Sequence, residues 1–349
     1  MKKLIALLLA FAMVFAMAAC TFSNEPAEPA EPAESGEAES TEPEGKTYEL
    51  TMVSSDATGC VIGLVGEKFV ELVDQYSEGR IKVNYYQDAT MGTELENIQQ
   101  IKTGEVDIAH FGDNFGSQIA TGVDPTLIPF IFKSADDVKA VYDDPELGQA
   151  IKDIAKTNNN VYLIGLQNRS PRLLTASKAI ATPADLKGLK VRVPEIESWV
   201  TVWNSMGAMC TVVAWSETYS ALQTGVVDAQ ENPIDNICAN SIYDVNKYIM
   251  NTEHLIGLHH WCINVDCFDS MDPADQEIIM KAMDEANAWG DQELDNLVAD
   301  YKQQALDNGA TFVDVDKDEW AAAAQAGINT ALESFSDEAK AYIANYLGE

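Results

Sequence analysis

The alternation of apolar and polar residues predicts strands and helices in the first part of the chain. TYELTMV (residues 47–53) and RIKVNYY (residues 80–86) alternate as half-buried strands do, and Gly63–Tyr76 between them has the apolar spacing of a helix. A second helix begins at a capping box, Thr93 with Glu96, ends at Gly104 and leads into the strand VDIAHF. This order of elements predicts a mostly parallel sheet covered by helices.

A similar order resumes after residue 160. The first predicted elements are the strand VYLIGL, a short helix with Pro183 in its first turn, and the strand GLKVRVP. A helix over Ser198–Met206 and an extended stretch over Thr211–Trp215 follow. The last are a helix that Ser216 caps and Gly225 ends, and a strand over Val226–Ala229 that leads into QENP. Two such halves predict two α/β lobes. Residues 273–308 then predict one long helix, interrupted only by Gly290, that would brace both lobes.

The first twenty residues, MKKLIALLLAFAMVFAMAAC, form a targeting segment outside the fold. Two lysines precede an apolar stretch that ends in Ala-Ala-Cys, which resembles a bacterial lipoprotein signal over residues 1–19 with Cys20 as the lipidated first residue of the mature chain. An ordinary secretory signal cut near Ala18 or Ala19 is the alternative. Residues 20–45, with eight Glu and four Pro, predict an extended acidic spacer. The mature protein is therefore expected to be exported and tethered to the membrane.

Charge and composition exclude several classes of protein. The chain has 56 Asp and Glu against 22 Lys and Arg, a formal charge of −34, so nucleic acid is not an expected partner. The four histidines and the five cysteines after Cys20 show no zinc-binding spacing, which predicts no metal and no cofactor. An exported hydrolase or carboxy-lyase is one functional class that these features do not exclude. Such an enzyme needs catalytic groups, however, and the sequence has no GxSxG motif and no SxxK motif with partners.

One short pattern occurs twice, as IKTGEVDIA (residues 101–109) and LQTGVVDAQENP (residues 222–233). The repeated part is the ordinary end of a helix and the start of a strand. The polar residues after it differ between the copies, with Gly112-Asp113-Asn114 in the first and Gln230-Glu231-Asn232-Pro233 in the second. Ligands in open parallel sheets lie beyond the carboxyl ends of strands, so these polar groups are candidates for binding.

The chain has only four arginines, and three of them, Arg169, Arg172 and Arg192, fall within 24 residues. Arg192 lies near the carboxyl end of the strand GLKVRVP, and its guanidinium is a fork that binds a carboxylate through two hydrogen bonds. An arginine paired with a nearby Asp or Glu of the chain is the other interpretation.

Residues 185–233, from DLKGLKVRVP to ALQTGVVDAQENP, resemble the signature region of the substrate-binding proteins of tripartite ATP-independent periplasmic (TRAP) transporters, the DctP-like family. The resemblance extends from about residue 46 to the C-terminus. It implies a two-lobed periplasmic-binding-protein (Venus-flytrap) fold with a long helix spanning both lobes. Lobe 1 would comprise residues 46–168 and about 258–297, and lobe 2 residues 169–257 and about 298–349.

The resemblance also implies the function and the partners. The protein would capture a small organic acid between its lobes and deliver it to one small and one large membrane subunit, which drive uptake with an ion gradient. A sensory binding protein of similar fold is an alternative, although such proteins lack QENP.

The same resemblance implies seven ligand contacts. Arg192 would be the main clamp on a carboxylate and Arg172 a second polar contact, while Trp215 would wall the cleft. Asn232 would bind the same carboxylate, and Asp113 and Asn114 would recognise the rest of the ligand. The seventh, His259, lies with His260 where the family has a strand entering the cleft.

The sequence departs from the family pattern near this cleft. SSDATGCVIG (residues 54–63) replaces the usual turn after the first strand, so contacts from Asp56 or Thr58 stay open, and Arg169 is an additional arginine. With Asp113, these departures leave two ligand classes open: a plain four-carbon dicarboxylate and an acid that carries hydroxyl or amino groups. Some relatives bind their acid with a metal ion, but no ligand set for one is apparent in this sequence.

Overall fold

The computed structural model of the protein describes residues 45–347; the predicted signal, Cys20 and nearly all of the predicted spacer lie outside this range. The strands are β1 (Tyr48–Val53), β2 (Ile81–Tyr86), β3 (Ile108–Phe111), β4 (Val161–Asn168), β5 (Leu173–Ala176), β6 (Lys190–Val193), β7 (Met209–Val212), β8 (Ala229–Asn232), β9 (Tyr248–Met250), β10 (Leu258–Asn264) and β11 (Thr311–Val313). The α-helices are α1 (Val61–Tyr76), α2 (Glu94–Thr103), α3 (Asn114–Gln118), α4 (Ala135–Asp143), α5 (Leu147–Asn159), α6 (Glu197–Ser205), α7 (Thr218–Gln223), α8 (Ile234–Ala239), α9 (Val265–Asp269), α10 (Pro273–Asp307), α11 (Lys317–Leu332) and α12 (Asp337–Leu347).

The strands form two mixed sheets, each the centre of one lobe. The first has the order β2-β1-β3-β10-β4, and the second β11-β9-β5-β8-β6-β7. Each sheet is parallel except for one strand, β10 in the first and β5 in the second. β10 follows β9 of the second sheet and β5 follows β4 of the first, so each antiparallel strand enters its sheet from the other lobe. The predicted α/β fold of two lobes is confirmed, with one antiparallel strand in each sheet.

The chain passes between the two sheets through short segments. Residues 169–172 lead from β4 to β5, and residues 251–257 lead from β9 back to β10. The two segments are joined where the Arg172 amide donates a hydrogen bond to the Leu255 carbonyl at 2.9 Å. The predicted long helix is also present: α10 has 35 residues, packs against α1 and β4 in the first lobe, and reaches α8 in the second.

Gly290 lies where α10 crosses the first lobe. A Cβ atom at this position would stand 2.5 Å from Val65 Cγ2 on α1 and 2.9 Å from Gln167 Nε2 on β4. The interior glycine of the long helix is therefore explained by the close approach of three elements.

Several helix ends were predicted correctly from local signals. The capping box of Thr93 and Glu96 is present at the start of α2, and Gly104 ends the helix in the left-handed conformation with φ 75°. Pro183 begins a short 3₁₀ turn, Pro183–Leu186. These signals work because the residues that define them are neighbours in the chain.

Two predictions in the second half were wrong. Ser216 does not cap a helix: it lies inside a 3₁₀ turn, Trp215–Glu217, closed by the Thr218 amide, whereas an N-cap residue needs an extended backbone. The strand predicted over Val226–Ala229 instead runs from Ala229 to Asn232, because its antiparallel partner β5 pairs with it as far as Leu173 and Asn232. QEN is thus part of the strand rather than a loop after it.

The lobe boundaries stay a prediction, and the C-terminal helices contact both lobes. α11 packs against α6, whereas α12 packs against α5, with the Tyr346 ring 4.9 Å from that of Phe132. None of the helices between residues 45 and 347 combines the length and apolar character needed to cross a membrane. Within the same range the five cysteines are free thiols.

Candidate ligand-binding cleft

A cavity lies between the two lobes and brings the predicted contacts together. All seven predicted residues line it, namely Asp113, Asn114, Arg172, Arg192, Trp215, Asn232 and His259. They meet because the carboxyl ends of β3, β6 and β8 face the cavity, as does the first half of the antiparallel strand β10. The cavity has a volume of about 50 Å³, which is room for only a few water molecules.

Arg172 is paired with Glu231 at the base of this cleft. Its Nε donates to Glu231 Oε2 at 2.5 Å and its Nη2 to Oε1 at 3.0 Å, which makes the pair bidentate. Nη2 also donates to Asn232 Oδ1 at 3.0 Å, and the guanidinium lies over the Trp199 ring at 4.7 Å. Most of the hydrogen-bonding capacity of Arg172 is therefore directed to the protein itself, while Nη1 faces Asp113 at 3.4 Å.

Glu231 is completely buried and remains charged. Burial alone would raise its pKa, but the charge of Arg172 and the hydrogen bond with His254 Nε2 at 3.0 Å outweigh that effect and lower the pKa of Glu231 to about 2. His254 is held in turn by Thr252, whose hydroxyl lies 2.8 Å from His254 Nδ1. The hydrogen bonds of the Arg172–Glu231 pair thus extend, through His254 and Thr252, into the segment that leads from β9 to β10.

Arg192 has a different environment. It is 3% exposed, and its Nε donates to the Val213 carbonyl at 2.9 Å while the guanidinium lies 5.6 Å from the centre of the Trp215 ring. No Asp or Glu oxygen between residues 45 and 347 lies within 4.0 Å of its guanidinium nitrogens. Burial lowers the pKa of Arg192 to about 10, so the group is still cationic at neutral pH. Its two outer nitrogens, Nη1 and Nη2, donate no hydrogen bond to the described residues.

Asn232 connects these groups. Its Oδ1 accepts from Arg172, and its Nδ2 donates to Gln230 Oε1 at 2.7 Å, which leaves the second Nδ2 hydrogen for a ligand. Pro233 restricts Asn232 to an extended backbone, which fixes the direction of this amide.

Carboxylates and amides dominate the wall contributed by the first lobe. Glu94 accepts from the Gly112 amide at 2.9 Å and from Asn114 Nδ2 at 2.6 Å, and burial raises the pKa of Glu94. Asp113 Oδ2 lies 3.6 Å from Arg169 Nη1 in addition to its contact with Arg172. Arg169 also donates to Asn236 Oδ1 at 3.2 Å. This wall therefore contains both hydrogen-bond donors and hydrogen-bond acceptors.

His259 adds an unusual group to the same wall. It is 2% exposed, and neither of its ring nitrogens has a hydrogen-bond partner in the described part of the chain. Burial lowers its pKa well below the usual range, so the ring is neutral. His110 Nδ1 is likewise unpartnered there and lies 3.7 Å from Asp56 Oδ2, and the three residues form a possible metal-binding group.

Sequence reasoning missed some lining residues. Glu94 was seen only as part of a helix start and Trp199 only as part of a helix, and neither position carries a motif. Glu231 stands inside QENP, but nothing in the sequence indicates its pairing with Arg172, 59 residues away. The interpretation of an arginine satisfied by a nearby acid thus applies to Arg172 and not to Arg192.

A cleft between two α/β lobes, lined by a buried cationic fork and hydrogen-bonding groups, defines a two-lobed solute-binding protein. Residues 52–337 match the sequence model of the bacterial extracellular solute-binding proteins, family 7 (DctP), and the chain belongs to this family. The predicted resemblance to TRAP solute-binding proteins is confirmed by the relatives as well.

Three comparisons illustrate this. The solute-binding protein RD1_1052 of Roseobacter denitrificans is 30% identical over 286 residues, which are 82% of this chain and 86% of that protein. Its crystal structure, a TRAP periplasmic solute-binding protein with bound L-galactonate, has a TM-score of 0.80 at 28% identity and covers 86% of this chain and 99% of its own. A TRAP protein from Chromohalobacter salexigens with bound D-glucuronate has a TM-score of 0.78 at 27% identity, with 86% and 99% covered. These relatives are binding proteins rather than hydrolases or carboxy-lyases.

Proposed function

We propose that the chain captures a hydroxylated organic acid, of the aldonate or uronate class, between its lobes and delivers it to the membrane subunits of a TRAP transporter. The observation that carries this proposal is the buried fork of Arg192. A buried charge without a partner is costly, and a ligand carboxylate would offset that cost through two charge-assisted hydrogen bonds. Trp215 beside the fork and the free hydrogen of Asn232 would hold the same carboxylate.

The rest of the ligand would face the first lobe. Asp113, Asn114 and His259 of the first lobe, with Arg169 in the segment between β4 and β5, offer both donors and acceptors, which suits hydroxyl groups better than a second carboxylate beside Asp113. The sugar acids bound to the two related structures, L-galactonate and D-glucuronate, support this class of ligand.

Capture would involve closure of the lobes. A ligand that contacts Arg192 in one lobe and Asn114 in the other favours the closed state by its differential contacts with that state. The segments 169–172 and 251–257 are the connections that a hinge motion would bend, together with α10. The closed complex is the form that the small and large membrane subunits would accept for uptake driven by an ion gradient.

The protein would act on the extracytoplasmic face of the membrane. The Ala-Ala-Cys sequence that ends at Cys20 and the acidic stretch of residues 20–45 support a lipid-tethered form of the mature chain, in which the spacer would let the cleft move near the transporter.

Isothermal titration with L-galactonate and D-glucuronate tests the proposed ligand class. D-galactose and D-glucose are the matched controls, because they keep most hydroxyl groups but lack the carboxylate. We expect at least one acid to bind and the neutral sugars to bind at least about a hundredfold more weakly, since two charge-assisted hydrogen bonds are lost. Succinate provides the dicarboxylate comparison. Binding of succinate alone, or equal binding of acids and neutral sugars, would contradict the proposal.

A further inference from the structure

Three neighbouring strands bring Asp56, His110 and His259 to one point on the first-lobe wall. Asp56 follows β1, His110 is in β3 and His259 in β10, and these strands are adjacent in the sheet. His110 pairs with Trp261, and His259 is two residues before Trp261, so both imidazoles project from the same face of the sheet. Their ring centres are 5.5 Å apart. The cluster is therefore fixed within a single lobe and does not depend on closure.

The distances within the cluster suit a shared metal ion. One ligand atom from each residue can be chosen so that all three lie within 4.8 Å of one another. His110 Nδ1 and Asp56 Oδ2 are 3.7 Å apart, too far for a hydrogen bond. Two ligand atoms that each lie about 2.0–2.2 Å from a tetrahedral ion are about 3.3–3.6 Å apart, so the atoms of the cluster need only small side-chain movements toward one another to share an ion.

The remaining atoms of the cluster are held by neighbours in the way metal ligands usually are. His110 Nε2 lies 2.9 Å from the Tyr85 hydroxyl, which leaves Nδ1 directed toward Asp56. Asp56 Oδ1 accepts from Asn236 Nδ2 at 2.7 Å, which leaves Oδ2 directed toward His110. Such outer hydrogen bonds orient metal-binding groups and fix the imidazole tautomer.

The unpartnered nitrogens are the independent sign of a ligand. Both nitrogens of His259 and Nδ1 of His110 are buried, and none has a hydrogen-bond partner between residues 45 and 347. Each residue is only 2% exposed. Buried polar atoms without partners are rare in proteins because each costs free energy, and a metal ion would satisfy one nitrogen on each ring.

We propose that Asp56, His110 and His259 bind one divalent transition-metal ion of the Zn²⁺ type. Two imidazoles and one carboxylate favour such an ion over Ca²⁺ or Mg²⁺, which prefer oxygen ligands. Asp56 and His259 line the cavity, so the open coordination positions face the cleft. Arg169 lines the same cavity and opposes a cation there, but its own charge is directed to Asp113 at 3.6 Å.

The ion also gives the proposed function a further contact. This contact rests on the proposed function: the metal would share the cavity with Arg192, and a hydroxyl or carboxylate oxygen of the acid would complete its coordination. Binding of the metal itself requires no acid, and the two proposals can therefore be tested separately.

Titration of the chelator-treated full chain with Zn²⁺, in the absence of any organic acid, tests the site. We expect one Zn²⁺ site per chain, and an affinity for Zn²⁺ that is at least about tenfold lower in H110Q and in H259Q. Loss of a residue that only orients a metal ligand already lowers metal affinity by about that factor. H260Q is the matched control, because the neighbouring His260 is bonded to Tyr142 and Phe111 and does not line the cavity. C60S controls for the buried thiol near Asp56. Co²⁺ provides a second readout through its visible absorption, and circular dichroism verifies that each variant is folded.

Absence of Zn²⁺ binding by the folded wild type, or equal binding by wild type, H110Q and H259Q, would overturn the metal site. Acid titrations in the presence of a chelator separate the two proposals. Acid binding without Zn²⁺ binding rejects the metal alone, whereas Zn²⁺ binding without binding of any acid rejects the proposed ligand class alone.

Discussion

Arg172 and Glu231 form a buried bidentate pair, with Nε 2.5 Å from Oε2 and Nη2 3.0 Å from Oε1. The pair joins the segment after β4 to the strand β8, and His254 extends it toward the second connecting segment. Arg192, at the other side of the same cavity, has no such partner within the described residues. The two arginines of the cleft therefore differ in their partners: the guanidinium of Arg172 is paired with a buried carboxylate, and that of Arg192 is not.

Replacing Arg192 should weaken acid binding according to the shape of the new side chain. We expect R192A to lose at least about a hundredfold in affinity, because two charge-assisted hydrogen bonds disappear, and R192K to lie between R192A and wild type because lysine keeps the charge without the fork. Titration with the acid that binds wild type measures this. R80A, which removes an arginine paired with Asp275 outside the cavity, is the control and should bind normally. Unchanged affinity in R192A would exclude the clamp.

Removing the charge of Glu231 should destabilise the fold. E231Q removes the bidentate counter-charge of the buried Arg172 and leaves only the more distant Asp113 carboxylate, so we expect the free energy of unfolding to fall by roughly 3–5 kcal/mol, as measured in urea. E71Q removes the exposed partner of Lys68 and should change little. Similar stabilities for E231Q and E71Q would show that the buried pair has no such role.

The same carboxylate makes stability depend on pH in a defined window. The pKa of Glu231 in the folded protein, about 2, lies below its usual value of 4.5. Because the pKa is lower in the folded protein, the Glu231 carboxylate contributes its full stabilisation at pH values above the usual pKa. This stabilisation is lost as the pH falls through the pKa of the folded protein. We expect the difference in unfolding free energy between wild type and E231Q to shrink between about pH 5 and pH 2. Urea denaturation at several pH values measures it, and a constant difference would contradict the assignment.

Gly290 should not tolerate alanine, although alanine is the better helix former. A free helix would gain about 1 kcal/mol from the substitution, but here the new Cβ would overlap Val65 and Gln167, and we expect a net loss of roughly 1–3 kcal/mol. The double variant V65A/G290A should lose less unfolding free energy than the sum of the losses in V65A and G290A, because the smaller side chain at position 65 makes room for the new Cβ. N296A, at an exposed position of the same helix, is the control and should be neutral or slightly stabilising. Strict additivity of the two substitutions would rule out the overlap.

Cys20 should decide whether the protein remains with the membrane. C20S removes the proposed lipid site, so the protein should move from the membrane fraction to the soluble extracytoplasmic fraction and lose labelling by palmitate. C210S, a substitution within the described fold, should stay membrane-bound and labelled. Labelling of C20S at the wild-type level would exclude Cys20 as the lipidated residue.

Features set by neighbours in the chain could be predicted from the sequence. The capping box at Thr93, the helix end at Gly104 and the length of α10 each depend on residues within a few turns of one another. Arg192 and Asn232 were predicted through the LKVRVP and QENP motifs, which mark the carboxyl ends of two adjacent parallel strands.

Features set by the order of strands could not be predicted in this way. The sequence does not show that β5 would pair with β8 and extend the strand through Asn232. Nor does it show that Asp56, His110 and His259, which are far apart along the chain, would meet across three adjacent strands. Such contacts depend on pairing between residues that are far apart in the sequence, and local propensity and periodicity carry no information about that pairing.

The position of β10 has a consequence for the biosynthesis of the protein. In the first sheet, β4 reaches the other strands only through β10, which is not synthesised until residue 264 of 349. A nascent chain that ends before this point cannot complete its first lobe, because the slot between β3 and β4 is still unfilled. We therefore expect stable folding of the first lobe to be delayed until about three quarters of the chain has been synthesised, which would suit a member of an extracytoplasmic family.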